Sequence, residues 1–182
     1  RTCYECHSDM GIKGFDHGTI GSEDSCFECH GNVAHMVTSV AHQHPAMEDG
    51  CLACHDTSAD RPFHLIEALP TLCFTCHESV AECYEHAVVR HGVDGTGDAC
   101  TSCHEPHGAN RPFLLPRDRV ELCLGCHDES RTAHDGHALA NVAARISTCA
   151  NLHGPLKDSD CTTCHQVHGS AHGRLLRDSY PS

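Results

Sequence analysis

Seven times in 182 residues the chain repeats Cys-x-x-Cys-His: Cys3-Cys6-His7, Cys26-Cys29-His30, Cys51-Cys54-His55, Cys73-Cys76-His77, Cys100-Cys103-His104, Cys123-Cys126-His127 and Cys161-Cys164-His165. Two thiols three residues apart lie about one helical turn apart, and each can form a thioether to one vinyl group of a haem. The histidine that follows stands on the same side and reaches the iron as proximal ligand. This is the pattern of covalent haem c attachment. Zinc ribbons share some of the spacing, since 18 residues separate Cys54 from Cys73 and 19 separate Cys103 from Cys123. A four-cysteine zinc site, however, has no use for a histidine after every second cysteine. A thioredoxin-type CxxC works singly on a βαβ frame, and a plain disulfide scaffold does not need the histidines.

The rest of the composition agrees. Leu, Ile, Val and Phe make up less than a fifth of the chain, Trp is absent and the formal net charge is −13. Such a chain cannot offset its conformational entropy by burying its own side chains. Seven haems would supply the missing apolar core, with the peptide wrapped around them as ligands, turns and short helices. The expected fold is therefore haem-packed, mostly coil with short α-helices and almost no sheet, an elongated single seven-haem domain over 1–182. Two lysines, Lys13 and Lys157, and ten scattered arginines form no basic stripe, which excludes nucleic acid as a partner. No run reaches the roughly 18 apolar residues of a membrane helix. Arg1 stands two residues before the first motif, as expected of a processed, exported chain, and cysteine-dense haem attachment belongs outside the cytoplasm.

Thirteen histidines lie outside the motifs, enough to give every iron a second axial ligand. His17 and His91 each precede a motif by nine residues, and His153 precedes one by eight, each followed by glycine. These three are expected as distal ligands for the second, fifth and seventh haems. His42 and His44 compete for the third. His107 and His168 each follow a proximal histidine by three and are expected to reach the next haem, which assigns His107 to the sixth. The copy after Cys51 has Ser58 at that place, so His64 is the choice for the fourth. Two Ala-rich segments, Glu78–Val89 and Asp135–Cys149, read as helices, placing His86, His134 and His137 at helix ends or the surface. Cys83 and Cys149, the cysteines outside the motifs, are expected to pair in an oxidising compartment.

The stretches CLACH…RPFHLIEALPTLCFTCH and CTSCHEPHGANRPFLLPRDRVELCLGCH share RPF and a Leu-Cys before the second motif. On these residues the chain resembles the doubled-CxxCH multihaem c-type cytochromes. The resemblance implies bis-histidine haems, electron transfer and a near absence of sheet. The doubled units fall at about 42–79 and 91–130. A third, 153–182, stops short of its second motif, which residues 1–9 of a neighbouring subunit would complete at the right spacing. Head-to-tail completion of this kind builds an open homopolymer, resembling the cytochrome filaments (nanowires) of metal-reducing microbes, with His168 as the ligand across the joint and His35 and His172 as substitutes.

Two classes of function remain. The first is electron transfer to redox partner proteins or extracellular acceptors, as a cell-surface filament or as a soluble periplasmic shuttle. The second is a multihaem reductase, which needs an iron left open to substrate. With histidines sufficient to close all seven irons, a non-enzymatic carrier is expected.

Overall fold

Each described motif folds as one tight turn. The structure, a computed structural model, describes residues 26–56, 65–91, 100–132, 136, 138–157 and 160–179. In the motifs beginning at Cys26, Cys51, Cys73 and Cys161, the histidine N–H donates to the first cysteine's carbonyl at 2.9, 3.0, 3.0 and 3.1 Å. This closure puts both cysteines and the histidine on one side of the turn.

The helices are short: α1 (Cys26–Cys29), α2 (Gly31–Thr38), α3 (Thr71–Phe74), α4 (Glu78–His86), α5 (Arg119–His127), α6 (Val142–Thr148) and α7 (Gly154–Lys157). Helix α5 carries its whole motif. Its N-terminus is capped by Asp118, whose carboxylate accepts from Val120 N at 2.9 Å. Glu121 lies in the first turn and His127 in the last, matching the helix dipole. Two two-stranded antiparallel ribbons complete the description: β1 (His42–Gln43) with β2 (Gly108–Ala109), and β3 (Arg131–Thr132) with β4 (Ala138–Leu139). Mostly coil with short helices and almost no sheet is thus what the chain adopts.

The second expected helix is shorter than Asp135–Cys149. Gly136, at φ +85°, turns the chain between β3 and β4, and α6 starts only after Asn141, whose side chain accepts from Ala144 N at 2.6 Å. Helix α4 ends at His86, and Val89 then pairs with Ser170.

The chain divides into two units that are not continuous in sequence. The first comprises Arg1–Leu72 with His104–Pro116, and the second Cys73–Cys103 with Arg117–Ser182. One design recurs inside each. In the first unit, α2 follows His30 and leads to β1, against which Gly108-Ala109 pairs, His42 opposite Ala109. In the second, α4 follows His77 and leads to Val89, against which Ser170 pairs. A Cβ added to Gly108 would lie 2.7 Å from Met36 O and 2.8 Å from Val40 Cγ2. One added to Gly169 would lie 2.6 Å from Ala87 Cβ. Each glycine lets its loop seat directly on the helix-to-strand segment.

Among the described residues, Ala109 (6 % exposed) and Ser170 (3 %) are the side chains that are buried. Large apolar side chains stand outside: Phe113 at 72 % and Val88 at 77 % exposed. Side chains alone do not form a core here, as the composition requires of a chain organised around another apolar body.

Candidate haem sites

Two proximal histidines show how the chain prepares an imidazole for iron. His104 Nδ1 lies 2.7 Å from Phe113 O, and His165 Nδ1 lies 2.9 Å from Arg174 O. A carbonyl can only accept, so each Nδ1 carries the proton and donates it, leaving the Nε2 lone pair for a metal. The carbonyls are aimed by an unusual turn. Phe113 and Leu114 have φ of 60° and 55°, and Arg174 and Leu175 have 58° and 56°. Left-handed backbone costs about 1–2 kcal/mol per ordinary residue. The turns are held by Glu105 N donating to Leu114 O at 2.8 Å and Gln166 N to Leu175 O at 2.7 Å. RPFLLP and HGRLLR thus make the same turn from different residues.

Two imidazole pairs face each other. His55 and His107 have ring centroids 6.1 Å apart and planes 9° from parallel, and His91 and His127 have centroids 6.3 Å apart at 43°. Stacked rings would touch at about 3.5–4 Å. Two metal–nitrogen bonds of about 2 Å, plus roughly 1.1 Å from each nitrogen to its ring centre, come to about 6 Å. The separation suits two axial ligands on opposite faces of a single iron. No group of three or more His, Cys, Asp or Glu side chains converges on a metal position among the described residues; these donors come in twos, as a haem iron requires. The residues fit haem c.

These partners differ from the sequence expectation, which gave His91 to the haem of His104 and His107 to the haem of His127. Chain direction explains both. His91 follows Val89, fixed to Ser170, and Arg90, whose Nε donates to Tyr84 O at 2.9 Å and whose guanidinium sits 4.4 Å over the Tyr84 ring. These anchors deliver His91 to α5. His107 lies in the turn closed by Gly108 N to Glu105 O at 3.2 Å, and Gly108 seats that turn on the segment after α2. The Glu105 carboxylate lies 3.3 Å from His107 Nδ1, where it accepts the Nδ1 proton and again leaves Nε2 for the metal.

The other expected ligands are dispersed. His42 is exposed on β1, His44 is half-buried before the Pro45–Asp49 turn, His153 is exposed at the start of α7, and His168 is exposed in the turn after His165. Cys3, Cys6, His7, His17, Ser58, His64, His134 and His137 lie outside the described residues, as do 1–9 and 180–182, which the split unit invokes.

The expected Cys83–Cys149 disulfide is not formed; both are free thiols. Cys83 is turned into its own unit, donating to Gly169 O at 3.4 Å and accepting from Gln166 Nε2 at 3.1 Å, whereas Cys149 is exposed after α6. Alkylation of the unreduced protein, followed by peptide mass spectrometry, is expected to label Cys149 quickly and Cys83 slowly. A Cys83–Cys149 cross-linked peptide would contradict this.

Burial, and then the neighbouring Cys161 thiol, push the Cys123 thiol up to about 11, and burial likewise raises Cys103. Asp160 organises the last motif: its carboxylate accepts from Thr162 N at 3.0 Å, Thr162 Oγ1 at 2.8 Å and Thr163 Oγ1 at 2.8 Å, and lies 3.5 Å from Arg119 Nη1. The threonine hydroxyls foremost, with Arg119 contributing, lower its pKa from 3.8 to about 2. The folded value is below the unfolded one, so its stabilisation is full above about pH 4 and disappears as pH falls towards 2. In denaturant unfolding, Asp160→Asn is expected to be less stable than wild type at pH 5, with the gap closing by pH 2. A gap independent of pH would mean that the carboxylate's charge plays no part.

The doubled CXXCH motif family matches at residues 44–82, 86–132 and 153–182, well over half of the chain. The chain is 26 % identical over 191 residues to the multiheme cytochrome MtrA of Shewanella baltica, covering 87 % of this chain and 56 % of that protein. It is 26 % identical over 113 residues to the cytochrome c-type protein NrfB of Haemophilus influenzae, covering 61 % and 47 %. To NrfB of Escherichia coli it is 25 % identical over 138 residues, covering 71 % and 66 %. The chain thus spans about half to two thirds of the length of these relatives. With its motifs folded as haem-binding turns and its histidines paired at axial spacing, this chain belongs to the doubled CXXCH family and is a multihaem c-type cytochrome.

Proposed function

We propose that the protein carries electrons through seven haems, one on each CxxCH motif, every iron closed by two histidines. The observation that carries this reading is the spacing of the imidazole pairs His55–His107 and His91–His127. An iron held on both faces has no position for a substrate. It changes oxidation state with little movement of its ligands, which suits electron transfer rather than bond-making chemistry. The chain's own part is to fix tautomers through Phe113 O and Arg174 O, and to hold the pairs at a constant separation. The partners are redox proteins or acceptors that exchange single electrons. The location is outside the cytoplasm, in the periplasm or at the cell surface, in keeping with thioether attachment. None of the helices among the described residues is long and apolar enough to cross a membrane.

His107 pairs backward, with a motif that precedes its own. A histidine at this offset therefore does not require a haem ahead of it, and His168 gives no reason by itself to invoke a neighbouring subunit. The ligand pairs favour a carrier over a head-to-tail filament.

The test is spectroscopic. The oxidised protein should show low-spin haem throughout, and the reduced protein should bind no carbon monoxide at stoichiometric amounts. Carbon monoxide uptake by one haem per chain would identify an open iron and favour the reductase reading.

A further inference from the structure

Two motif turns of the second unit are tied together by a side chain that belongs to neither. Arg119 stands four residues before Cys123 on α5, on the same face of the helix. Its Nη1 donates to Thr162 Oγ1 at 2.9 Å and lies 3.5 Å from Asp160 Oδ1. Thr162 is the residue after Cys161, and Asp160 the residue before it. Asp160 in turn holds Thr162 and Thr163 through the three bonds given above. The planar guanidinium therefore grips both flanks of one haem-attachment cysteine from the helix that carries another.

Stability is a poor explanation of this arrangement. The Arg119 and Asp160 side chains are 41 % and 40 % exposed, and ion pairs so exposed contribute little. What the grip does accomplish is proximity. The Cys123 and Cys161 thiols are hydrogen-bonded neighbours, and Cys103 of the preceding motif lies close enough to act electrostatically on Cys123. When such a cysteine is loaded, its sulfur is bonded to a carbon attached directly to the porphyrin ring. Two sulfurs in contact leave only a few bonds and one van der Waals gap, about 4 Å, between two ring edges.

We propose that Arg119 is a positioning residue for electron transfer: by gripping Thr162 and Asp160 it holds the Cys123 turn against the Cys161 turn, so that the haems on these motifs meet at their thioether edges. The step is an exchange of one electron, the ferrous member of the pair being oxidised as its ferric neighbour is reduced. No bond forms or breaks and no proton moves. The inference rests on the reading that both motifs carry haem.

The experiment uses the intact holoprotein. Peptide mass spectrometry first establishes haem on Cys123–Cys126 and on Cys161–Cys164. A motif without haem overturns this inference and the seven-haem reading together. Electron paramagnetic resonance of the fully ferric protein then compares wild type with Arg119→Ala, Arg119→Lys and the isosteric Thr162→Val. Two haems in edge contact broaden each other's signals. Both Arg119→Ala and Thr162→Val should therefore gain the sharp low-spin signal of two isolated haems, and Arg119→Lys should fall between them and wild type. Unchanged spectra in both variants overturn the junction while leaving the seven-haem reading intact. A response in Arg119→Ala alone reports loss of a charge rather than of docking, and also overturns it.

Discussion

Replacing His107 with alanine is expected to open one iron, that of the haem on Cys51 and Cys54, and to leave the other haems low-spin. His107 faces His55 at 6.1 Å with planes 9° apart, so its loss removes the sixth ligand of the His55 iron. It does not touch the haem of the motif three residues upstream, whose proximal His104 keeps its bond to Phe113 O. The ferric spectrum should gain one high-spin component, and the reduced protein should bind one carbon monoxide per chain. Had His107 served the haem of His127, as its position in the sequence suggests, the open iron would be found on Cys123–Cys126. Proteolysis with the haems still attached, followed by spectroscopy of each haem peptide pair, distinguishes the two. An open iron on any motif other than Cys51–Cys54 rejects the pairing.

The second large effect needs no change of ligand. Gly108→Ala is expected to destabilise the first unit by about 1–3 kcal/mol, the usual cost of an overpacked position. It should also reproduce part of the His107→Ala spectrum. The added methyl would fall 2.7 Å from Met36 O and 3.1 Å from His42 O, backbone atoms on either side of Val40, whose Cγ2 is 2.8 Å away. None can yield without disturbing β1, so the loop must lift, and His107 is the residue next to the one displaced. Gly169→Ala should do the same to the second unit, because its methyl would meet Ala87 Cβ at 2.6 Å. Gly173→Ala is the control: its methyl would meet nothing within 4 Å. A Gly108→Ala protein with wild-type melting temperature and spectrum would contradict the docking role of the His-Gly dipeptide.

The haem-attachment residues and the architecture are both legible in the sequence, because CxxCH is a local signal. Spacing within a single turn fixes which side chains share a face, and the shortage of apolar residues fixes that something else forms the core. The distal ligands are not legible in the same way. They depend on where a loop lands, and His91 and His107 land on motifs other than the ones their offsets suggest. The landing is set by Gly108 and by the Val89–Ser170 bridge. The glycine is visible in the sequence as part of HG, but only the seat beneath it explains its presence. The repeated left-handed turn is hidden for another reason: Phe113-Leu114 and Arg174-Leu175 are not residues that such a backbone favours. Gly136 shows the opposite failure. It was tolerated as a helix residue, whereas its φ of +85° marks the corner of a hairpin.

The ligand pairs also bear on how such a chain is assembled. His55 joins His107 and His91 joins His127, so along the chain the two closures interleave rather than nest. Each iron so ligated acts as a cross-link over a span of some tens of residues, and closing a loop of that size removes about 4 kcal/mol of chain entropy from the unfolded state in the usual cross-link model. A chain emerging from its N-terminus presents Cys51, Cys54 and His55 long before His107 exists to meet them. That haem must wait, five-coordinate, until the motif at Cys100 has also emerged. His91 is made before the haem it will close. The first closure is thus completed from behind and the second from ahead, and the order in which the irons become low-spin during maturation is written into the order of the histidines.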